Sequence, residues 1–150
     1  MTTPEPFPPV ASLLPHSGAN VFLTKVLAKS GDEIACLGVC PNLADLGLPP
    51  MSALRVIGIE IASQAVAAYA ALERNISAPA AVGYLIAIRH CRLHPVPLAA
   101  GDALEVRCKS TWRDNFFGIF DCHIHLQATQ QLLLEGALSF YQPLTAEPHE

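Results

Sequence analysis

The strongest candidate for a catalytic residue is Glu60, a carboxylate in the middle of a long apolar segment. The flanking residues Val56 to Ile59 and Ile61 to Ala65 are apolar apart from Ser63 and Gln64. Burial in such a segment disfavours a charged carboxylate unless it is paired. A carboxyl group held neutral in this way suits general acid–base catalysis. Alternatively, the segment has one narrow solvated stripe and Glu60 lies on it.

Two other polar residues are candidates to act with Glu60. Gln64 lies one helical turn further on, at i+4, so a helix would place both side chains on one face. His16 follows Leu14-Pro15 in a segment rich in turn-forming residues, where a histidine is more often structural or at the surface. The residues alone therefore leave a catalytic role for His16 open.

His123 and His125 lie two apart in a strand-like segment, so they point to the same face and could bind a metal. No third ligand is close in the sequence, and the flanking Asp121 and Gln127 favour a solvated face. The chain has no phosphate-binding glycine loop, nucleophile elbow or zincin motif. We expect neither a metal nor any other cofactor.

One helix and six strands are predicted to carry these residues. The helix is predicted from Ser52, as its N-cap, to about Arg74. The strands are predicted at Val21 to Ala28, Glu33 to Val39, Gly83 to Leu93, Ala103 to Arg113, Phe117 to Ala128 and Leu132 to Gln142. Polar and apolar residues alternate in the fourth and fifth strands, which indicates antiparallel strands with one buried face.

The predicted fold class is α+β. The helix is apolar on nearly every side and must be buried on most of them. A curved antiparallel sheet wrapped around this single long helix satisfies that requirement. We predict a flexible lead-in over residues 1–12, a single domain over 13–143 and a polar tail over 144–150.

Composition limits the partners and the compartment. Hydrophobic residues make up 51% of the 150 residues and charged residues 15%, so the surface is sparsely charged and part of it is predicted to be covered by another subunit. A curved sheet also leaves its edge strands open to pairing with another sheet, so we predict at least a homodimer. A net charge of −4 argues against nucleic acid. No signal peptide or uninterrupted membrane span is seen, so we expect a cytoplasmic protein.

Three segments carry a resemblance to a known family, the bacterial β-hydroxyacyl-ACP dehydratases. Leu13 to His16, followed by Val21 to Leu27, resembles the "LPHR-P-hydrophobic-D-x-V" opening of these enzymes. Glu60 to Ala65 resembles their "E-x-M-A-Q-A" helix, and Pro95 to Asp102 resembles their "P-V-x-P-G-D" turn. The resemblance runs from about Leu13 to Pro143.

A narrower resemblance is to the divergent branch of predicted 3-hydroxyacyl-ACP dehydratases from aryl polyene-type biosynthetic clusters. Gly83 to Arg89 and the closing Tyr141-Gln142-Pro143 are similar to that branch. The resemblance implies a hot-dog fold and a catalytic role for Glu60. The standard enzymes also carry a catalytic histidine in a "G-H-F-P-G" loop before the helix, but the stretch from Asn42 to Pro50 has none. Either His16 replaces it, or the chain does other thioester chemistry, or it is inactive.

The function implied by this resemblance is reversible dehydration of 3-hydroxyacyl thioesters on acyl carrier protein, in fatty-acid or polyene-like biosynthesis. His16 is then the base, Glu60 the acid, and Gln64 orients Glu60 or a water molecule. The thioester carbonyl would be polarised near the helix start, where Ser52, Arg55 and Val56 are candidate substrate-binding residues. The alternatives are an acyl-thioester hydrolase and a non-catalytic acyl-binding partner subunit.

An acyl carrier protein is acidic and would need a local basic surface to dock. The candidate side chains for that surface are Arg89, His90, Arg92, Arg107, Lys109 and Arg113. They could equally be ordinary solvated side chains. The five cysteines include no C-x-x-C pair, so they are expected to be free thiols, mostly packed in the core.

Overall fold

The computed structural model describes residues 7–47, 53–74 and 83–143, and side chains in the helix from residue 56 onward. The first half of the predicted lead-in (residues 1–6) and the predicted tail (144–150) lie outside the described residues. The predicted N-cap Ser52 also lies outside them. A one-turn helix α1 (Val10–Leu13) is present, and it falls partly within the predicted lead-in.

A six-stranded sheet and one long helix make up the rest of the described fold. The strands are β1 (Leu23–Ser30), β2 (Glu33–Val39), β3 (Tyr84–Leu93), β4 (Ala103–Arg113), β5 (Phe117–Leu126) and β6 (Leu132–Tyr141), and the helix is α2 (Ala53–Glu73). The sheet order is β1-β2-β4-β5-β6-β3, and every adjacent pair is antiparallel. The predicted α+β arrangement is confirmed.

Helix α2 lies against the inner face of the sheet and contacts all six strands. The alternation in β4 places Leu104, Val106 and Cys108 on that face, where all three are fully buried. Gly58 allows the close approach, because a Cβ there would lie 3.0 Å from Leu134 Cδ1. The window Val56–Glu73 is long and apolar enough to pass for a membrane span, with mean hydropathy 1.3, but here α2 is the core helix.

The segment before β1 is fixed to the core at both ends. Val10 and Leu13 of α1 and the following Leu14 are buried, and α1 packs against α2 and β1. At the other end Phe22 is buried, and its carbonyl accepts a hydrogen bond from Val39 N at 2.9 Å. The residues between these anchors, from Pro15 to Val21, form an arm over α2 that includes a 3-10 turn at Gly18–Asn20.

Strand β3 is one edge of the sheet and pairs only with β6 among the described strands. Three of its large apolar side chains are about half exposed: Tyr84 (54%), Ile86 (52%) and Ile88 (47%). Gly136 of β6 lets β3 approach, because a Cβ there would lie 2.7 Å from the His90 carbonyl oxygen. The sheet therefore ends on an edge strand with large apolar side chains that are partly exposed.

Candidate active site

His16 and Glu60 meet at the surface of α2. The Nε2 atom of His16 lies 2.9 Å from the Glu60 Oε1 atom, within hydrogen-bonding distance. The arm carries the histidine and the second turn of α2 carries the glutamate, so packing of the arm on the helix creates the pair. An imidazole and a carboxylate in contact can exchange a proton, which is the basic requirement of general acid–base chemistry.

The predicted burial of Glu60 is wrong. Its side chain is 44% exposed in this chain, so the apolar residues around it in the sequence do not enclose it in space. The helix has a partly exposed stripe that carries Glu60, Ser63, Ala67 and Ala70, spaced three or four residues apart. The solvated-stripe alternative describes Glu60 better, and the stripe forms one wall of a cavity.

Gln64 is fully buried and links the arm to the helix. Its Oε1 accepts a hydrogen bond from Phe22 N at 2.9 Å, which fixes the orientation of the amide. Its Nε2 donates to the Asn20 carbonyl at 2.6 Å and to Glu60 Oε1 at 3.3 Å. The same amide therefore holds the segment that carries His16 and orients the Glu60 carboxylate.

The two nitrogens of His16 have different surroundings. Nε2 faces Glu60, whereas Nδ1 is buried and has no hydrogen-bond partner within the described parts of the chain. A buried polar atom without a partner costs about 1–3 kcal/mol. Within the described residues, the contact with Glu60 is therefore the polar interaction that the imidazole makes.

A cavity of about 160 Å³ opens beside the pair. It is lined by Pro15, His16, Glu60, Ser63, Val66, Ala67, Ala70, Gly83, Leu85, Phe140, Tyr141 and Gln142. His16 and Glu60 form part of its wall, and the rest of the wall is mostly apolar. A second cavity of about 210 Å³, near the C-terminus of α2, shares Val66, Ala70, Phe140 and Gln142 with it.

Of the other predicted substrate-binding residues, Val56 alone has a described side chain. Ser52 and the side chain of Arg55 lie outside the described residues. Val56 is 54% exposed, lies one turn before Glu60 and does not line the cavity. Of the loop that lacks the histidine, Leu43–Leu46 forms a 3-10 turn, and residues 48–50 lie outside the described residues.

Several of the predicted basic docking residues pair with carboxylates. Arg107 binds Glu105 at 2.7 Å, and Arg92 lies 3.9 Å from Glu135. Arg113 lies between Glu73 and Asp32 at 3.5 and 3.8 Å. Arg89, His90 and Lys109 are exposed. Nearby carboxylates therefore compensate part of the positive charge of Arg92, Arg107 and Arg113.

The sequence does not predict that residues of β3 and β6 line the cavity beside His16 and Glu60. Leu85, Phe140, Tyr141 and Gln142 line the cavity, whereas the sequence predicts them only as strand residues or as part of a closing motif. The signal that could have found them is their position at the ends of paired strands, where Tyr84 lies opposite Tyr141. The sequence does not predict which face of α2 these strand residues contact.

The cysteines do not supply a nucleophile. Burial raises the pKa of Cys36 to about 12, and burial together with the charge of Asp102 raises that of Cys40 to about 11. Burial also raises the pKa of the Cys91 thiol. A thiol that stays protonated at neutral pH is a poor nucleophile. Chemistry at this site rests on the carboxylate and the imidazole.

Comparison with known proteins gives the fold and the family. A chain of "The Dehydratase Heterocomplex ApeI:P from Xenorhabdus doucetiae" is 26% identical, with TM-score 0.74 and 93% of each chain covered. The HP0420-homologue from Helicobacter felis (11% identity, TM-score 0.60, 93% of each) and the Escherichia coli PaaI protein (13%, 0.52, 80% of this chain and 79% of that one) share the fold, which is the hot-dog fold.

No curated protein matches the sequence significantly. The sequence model of the ApeP-like family, described as ApeP dehydratase, matches residues 8–149 and so covers almost the whole chain, including the arm, α2 and the cavity walls. The chain therefore belongs to the ApeP-like dehydratase family.

Proposed function

We propose that this protein reversibly dehydrates 3-hydroxyacyl thioesters carried on acyl carrier protein. The observation that supports this most directly is the His16–Glu60 pair, 2.9 Å apart in the wall of a mostly apolar cavity, in a member of a dehydratase family. Dehydration needs one base and one acid close to adjacent carbon atoms, and an acyl chain needs an apolar wall. We place the reaction in the cytoplasm, where acyl carrier proteins work.

In the proposed mechanism His16 is the base and Glu60 the acid. His16 Nε2 takes the proton from Cα of the substrate, and the electron pair of that C–H bond becomes the Cα–Cβ double bond. The Cβ–O bond breaks, and Glu60, which this mechanism requires to carry a proton at that step, gives the proton to the departing hydroxyl. The products are a 2-enoyl thioester and water, with His16 protonated and Glu60 ionised.

The contact between the two side chains restores the starting state. After water leaves, the proton on His16 Nε2 can pass directly to Glu60 Oε1 across the 2.9 Å contact. No substrate atom fits between groups this close, so substrate binding must separate them. Ser17, Gly18 and Ala19, which follow His16 in the arm, are exposed, so core packing of these three residues does not oppose the movement.

Two variants test the assignment of roles. His16→Ala and Glu60→Gln should each lower the rate of enoyl-thioester hydration by about a hundredfold or more, because each removes one of the two proton-transfer groups. Hydration is followed by loss of the enoyl absorbance. His123→Ala, an exposed histidine on the opposite face of the sheet, is the matched control and should keep the wild-type rate. Near-wild-type rates in either site variant would remove that residue from the mechanism.

The carrier is tested by comparing acyl-ACP and acyl-CoA forms of one 3-hydroxyacyl chain. A higher kcat/KM for the carrier-protein form supports the proposal, and equal values count against it. The same reactions report on hydrolysis. Release of free thiol without formation of the enoyl product would assign an acyl-thioester hydrolase.

A second candidate function is that of a partner subunit in a complex of two hot-dog chains. It is favoured by the absence of histidine from residues 41–47, the described part of the loop where the standard enzymes carry theirs. The solved structure with 26% identity is a heterocomplex by name, which suggests such an assembly. Tight binding of acyl-ACP without any product, together with activity after a second hot-dog chain is added, would favour this candidate.

A further inference from the structure

The cavity beside His16 and Glu60 adjoins the second cavity along one side of α2. The two cavities share Val66 and Ala70 of the helix, and they also share Phe140 and Gln142. The first cavity begins at Glu60, and the second reaches Glu73. An α-helix rises by about 1.5 Å per residue, so the two cavities together follow α2 for about 20 Å. We call this combined space the groove.

Each cavity alone is small for a ligand site. Their volumes are about 160 Å³ for the first cavity and about 210 Å³ for the second. Ligand pockets usually enclose about 300–1,000 Å³, and the two cavities reach the lower end of that range only together. The size of the groove therefore fits one ligand that occupies both cavities better than a ligand confined to the first.

The second cavity has an apolar floor that continues into the first. Val66, Tyr69 and Phe120 line it and are 6%, 1% and 5% exposed. The Phe120 ring packs edge-on against Tyr69, with 5.4 Å between ring centroids, and against Phe140, with 6.0 Å. Because Phe140 also lines the first cavity, these rings join the two floors. A buried aromatic floor of this kind suits a hydrocarbon chain.

The rim of the second cavity is polar and carries both signs of charge. Glu73, Arg113 and Asp114 line it and are exposed. Arg113 lies 3.5 Å from Glu73, so the carboxylate compensates part of its charge. An anionic ligand group at the rim would also face the carboxylates of Glu73 and Asp114. The second cavity is therefore better suited to the apolar part of a ligand than to an anionic part.

Ala70 lies where the two cavities meet. It lines both of them, and its side chain is only partly buried. Along the helix it is about 15 Å from Glu60. The methyl group of alanine leaves space at this point, whereas a large side chain would fill it. The residue at position 70 can therefore control whether a chain that starts beside Glu60 reaches the second cavity.

From these observations we propose that the groove binds one extended acyl chain, and that Ala70 determines the chain length it accepts. The thioester end lies beside His16 and Glu60, and the far carbons lie on the aromatic floor of the second cavity. The ligand class is thus acyl thioesters of medium to long chain. The inference rests on the proposed function for the thioester. It concerns only the floor that this chain supplies, whichever subunit covers the rest of the groove.

Binding of unreactive analogues tests the inference. S-butyl- and S-dodecyl-coenzyme A are thioethers without a 3-hydroxyl group, so they can be neither hydrolysed nor dehydrated. Each buried methylene group strengthens binding by about fourfold, so the dodecyl compound should bind the full-length protein at least about tenfold more tightly than the butyl compound. Isothermal titration calorimetry measures both affinities. Equal affinities, or no binding of the dodecyl compound, would overturn the inference.

Ala70→Phe tests the role of the junction. It should weaken binding of the dodecyl compound by about tenfold or more, because the far methylene groups lose the second cavity. Binding of the butyl compound should stay close to wild type, since a butyl chain does not cover the roughly 15 Å from Glu60 to Ala70. Ala70→Leu should act in the same direction and provides the test if the phenylalanine variant does not fold.

Leu27→Phe is the matched control for Ala70→Phe. It adds an aromatic ring at a position on β1 that is 41% exposed and lines neither cavity, so it should bind both compounds like the wild type. Wild-type affinity for the dodecyl compound in both Ala70 variants would overturn the role of Ala70. An equal loss in Leu27→Phe would also count against it.

The inference and the proposed function can fail separately. Tighter binding of the dodecyl compound, without any dehydration of 3-hydroxyacyl thioesters, would support the groove and overturn the proposed function. Dehydration by a protein that binds the butyl and dodecyl compounds equally would overturn the groove and leave the proposed function intact.

Discussion

At the scale of single residues, the site depends on an amide that no solvent reaches. Gln64 is surrounded by core residues, where a polar side chain is tolerated only if its hydrogen bonds are made. Its three contacts, with Phe22, Asn20 and Glu60, satisfy that requirement. Because the same three contacts fix the arm and the carboxylate, Gln64 is a candidate positioning residue, one that acts through His16 and Glu60.

We expect Gln64→Met to lower kcat by up to about a hundredfold with little change in KM, since a misplaced His16 slows proton transfer more than binding. Stability should also fall by about 1–3 kcal/mol, because Phe22 N loses its acceptor. Steady-state kinetics and urea unfolding measure the two effects.

The matched control for this prediction is Val106→Ala, a buried change in β4 that does not touch the arm. It should lower stability but leave kcat unchanged at a temperature where the variant is folded. If Gln64→Met behaves in the same way, with normal kcat, Gln64 has only a structural role.

At the scale of elements, the C-terminal end of α2 is tied to two strands by charge. Glu73 forms an ion pair with Lys29 of β1 and lies 3.5 Å from Arg113 of β4. The Tyr69 ring lies beneath both cations, 4.8 Å from Lys29 Nζ and 5.1 Å from Arg113 Cζ. The hydrogen bond from Lys29, followed by the charges of Lys29 and Arg113, lowers the pKa of Glu73 below its usual value near 4.5.

This lowered pKa predicts how Glu73→Gln depends on pH. A carboxyl group with a lower pKa in the folded state stabilises the fold above its unfolded pKa, and the effect is lost as pH falls through the folded value. Glu73→Gln should therefore cost about 0.5 kcal/mol at pH 7, a size typical of partly exposed pairs. At about pH 2 the wild-type carboxylate is also neutral, so the two proteins should then have the same stability.

Urea unfolding of both proteins at the two pH values measures this difference. Asp45→Asn, a change at an exposed carboxylate away from α2, is the control and should alter stability little at either pH. A gap between Glu73→Gln and wild type that is equally large at low pH would contradict the ion-pair explanation.

At the level of the whole molecule, β3 forms an edge of the sheet and pairs only with β6 among the described strands. Its large apolar side chains are about half exposed, and such an edge promotes pairing between sheets. The second subunit could be another copy of the chain or a related hot-dog chain. We propose that the assembly forms at this edge.

Ile88→Lys tests that proposal by placing a charge in β3. We expect the oligomer to dissociate at concentrations where the wild type is at least a dimer, as measured by light scattering over a dilution series. Leu27→Lys is the control, since Leu27 is 41% exposed on β1, the other edge of the sheet. A wild-type monomer, or dissociation only by Leu27→Lys, would count against β3 as the interface.

Much of the fold follows from local patterns along the chain. The two-residue alternation in β4 and β5 and the apolar stretch from Ala53 to Glu73 are local properties, so the predicted elements agree with the observed ones to within two residues. The motif that contains Glu60 and Gln64 was also visible, because both lie on one helix face. Their environments were not, since Glu60 is 44% exposed and Gln64 is fully buried although they are one turn apart.

Periodicity along the chain is enough to predict the helix and the strands, and a carboxylate inside the apolar helix is enough to make Glu60 a catalytic candidate. The contact of Glu60 with His16, the link through Gln64 and the closure of the cavity by β6 all depend on packing. Periodicity reports which side of an element is apolar, whereas these contacts join segments far apart in the chain. Their geometry is set by how the arm and the sheet pack on α2.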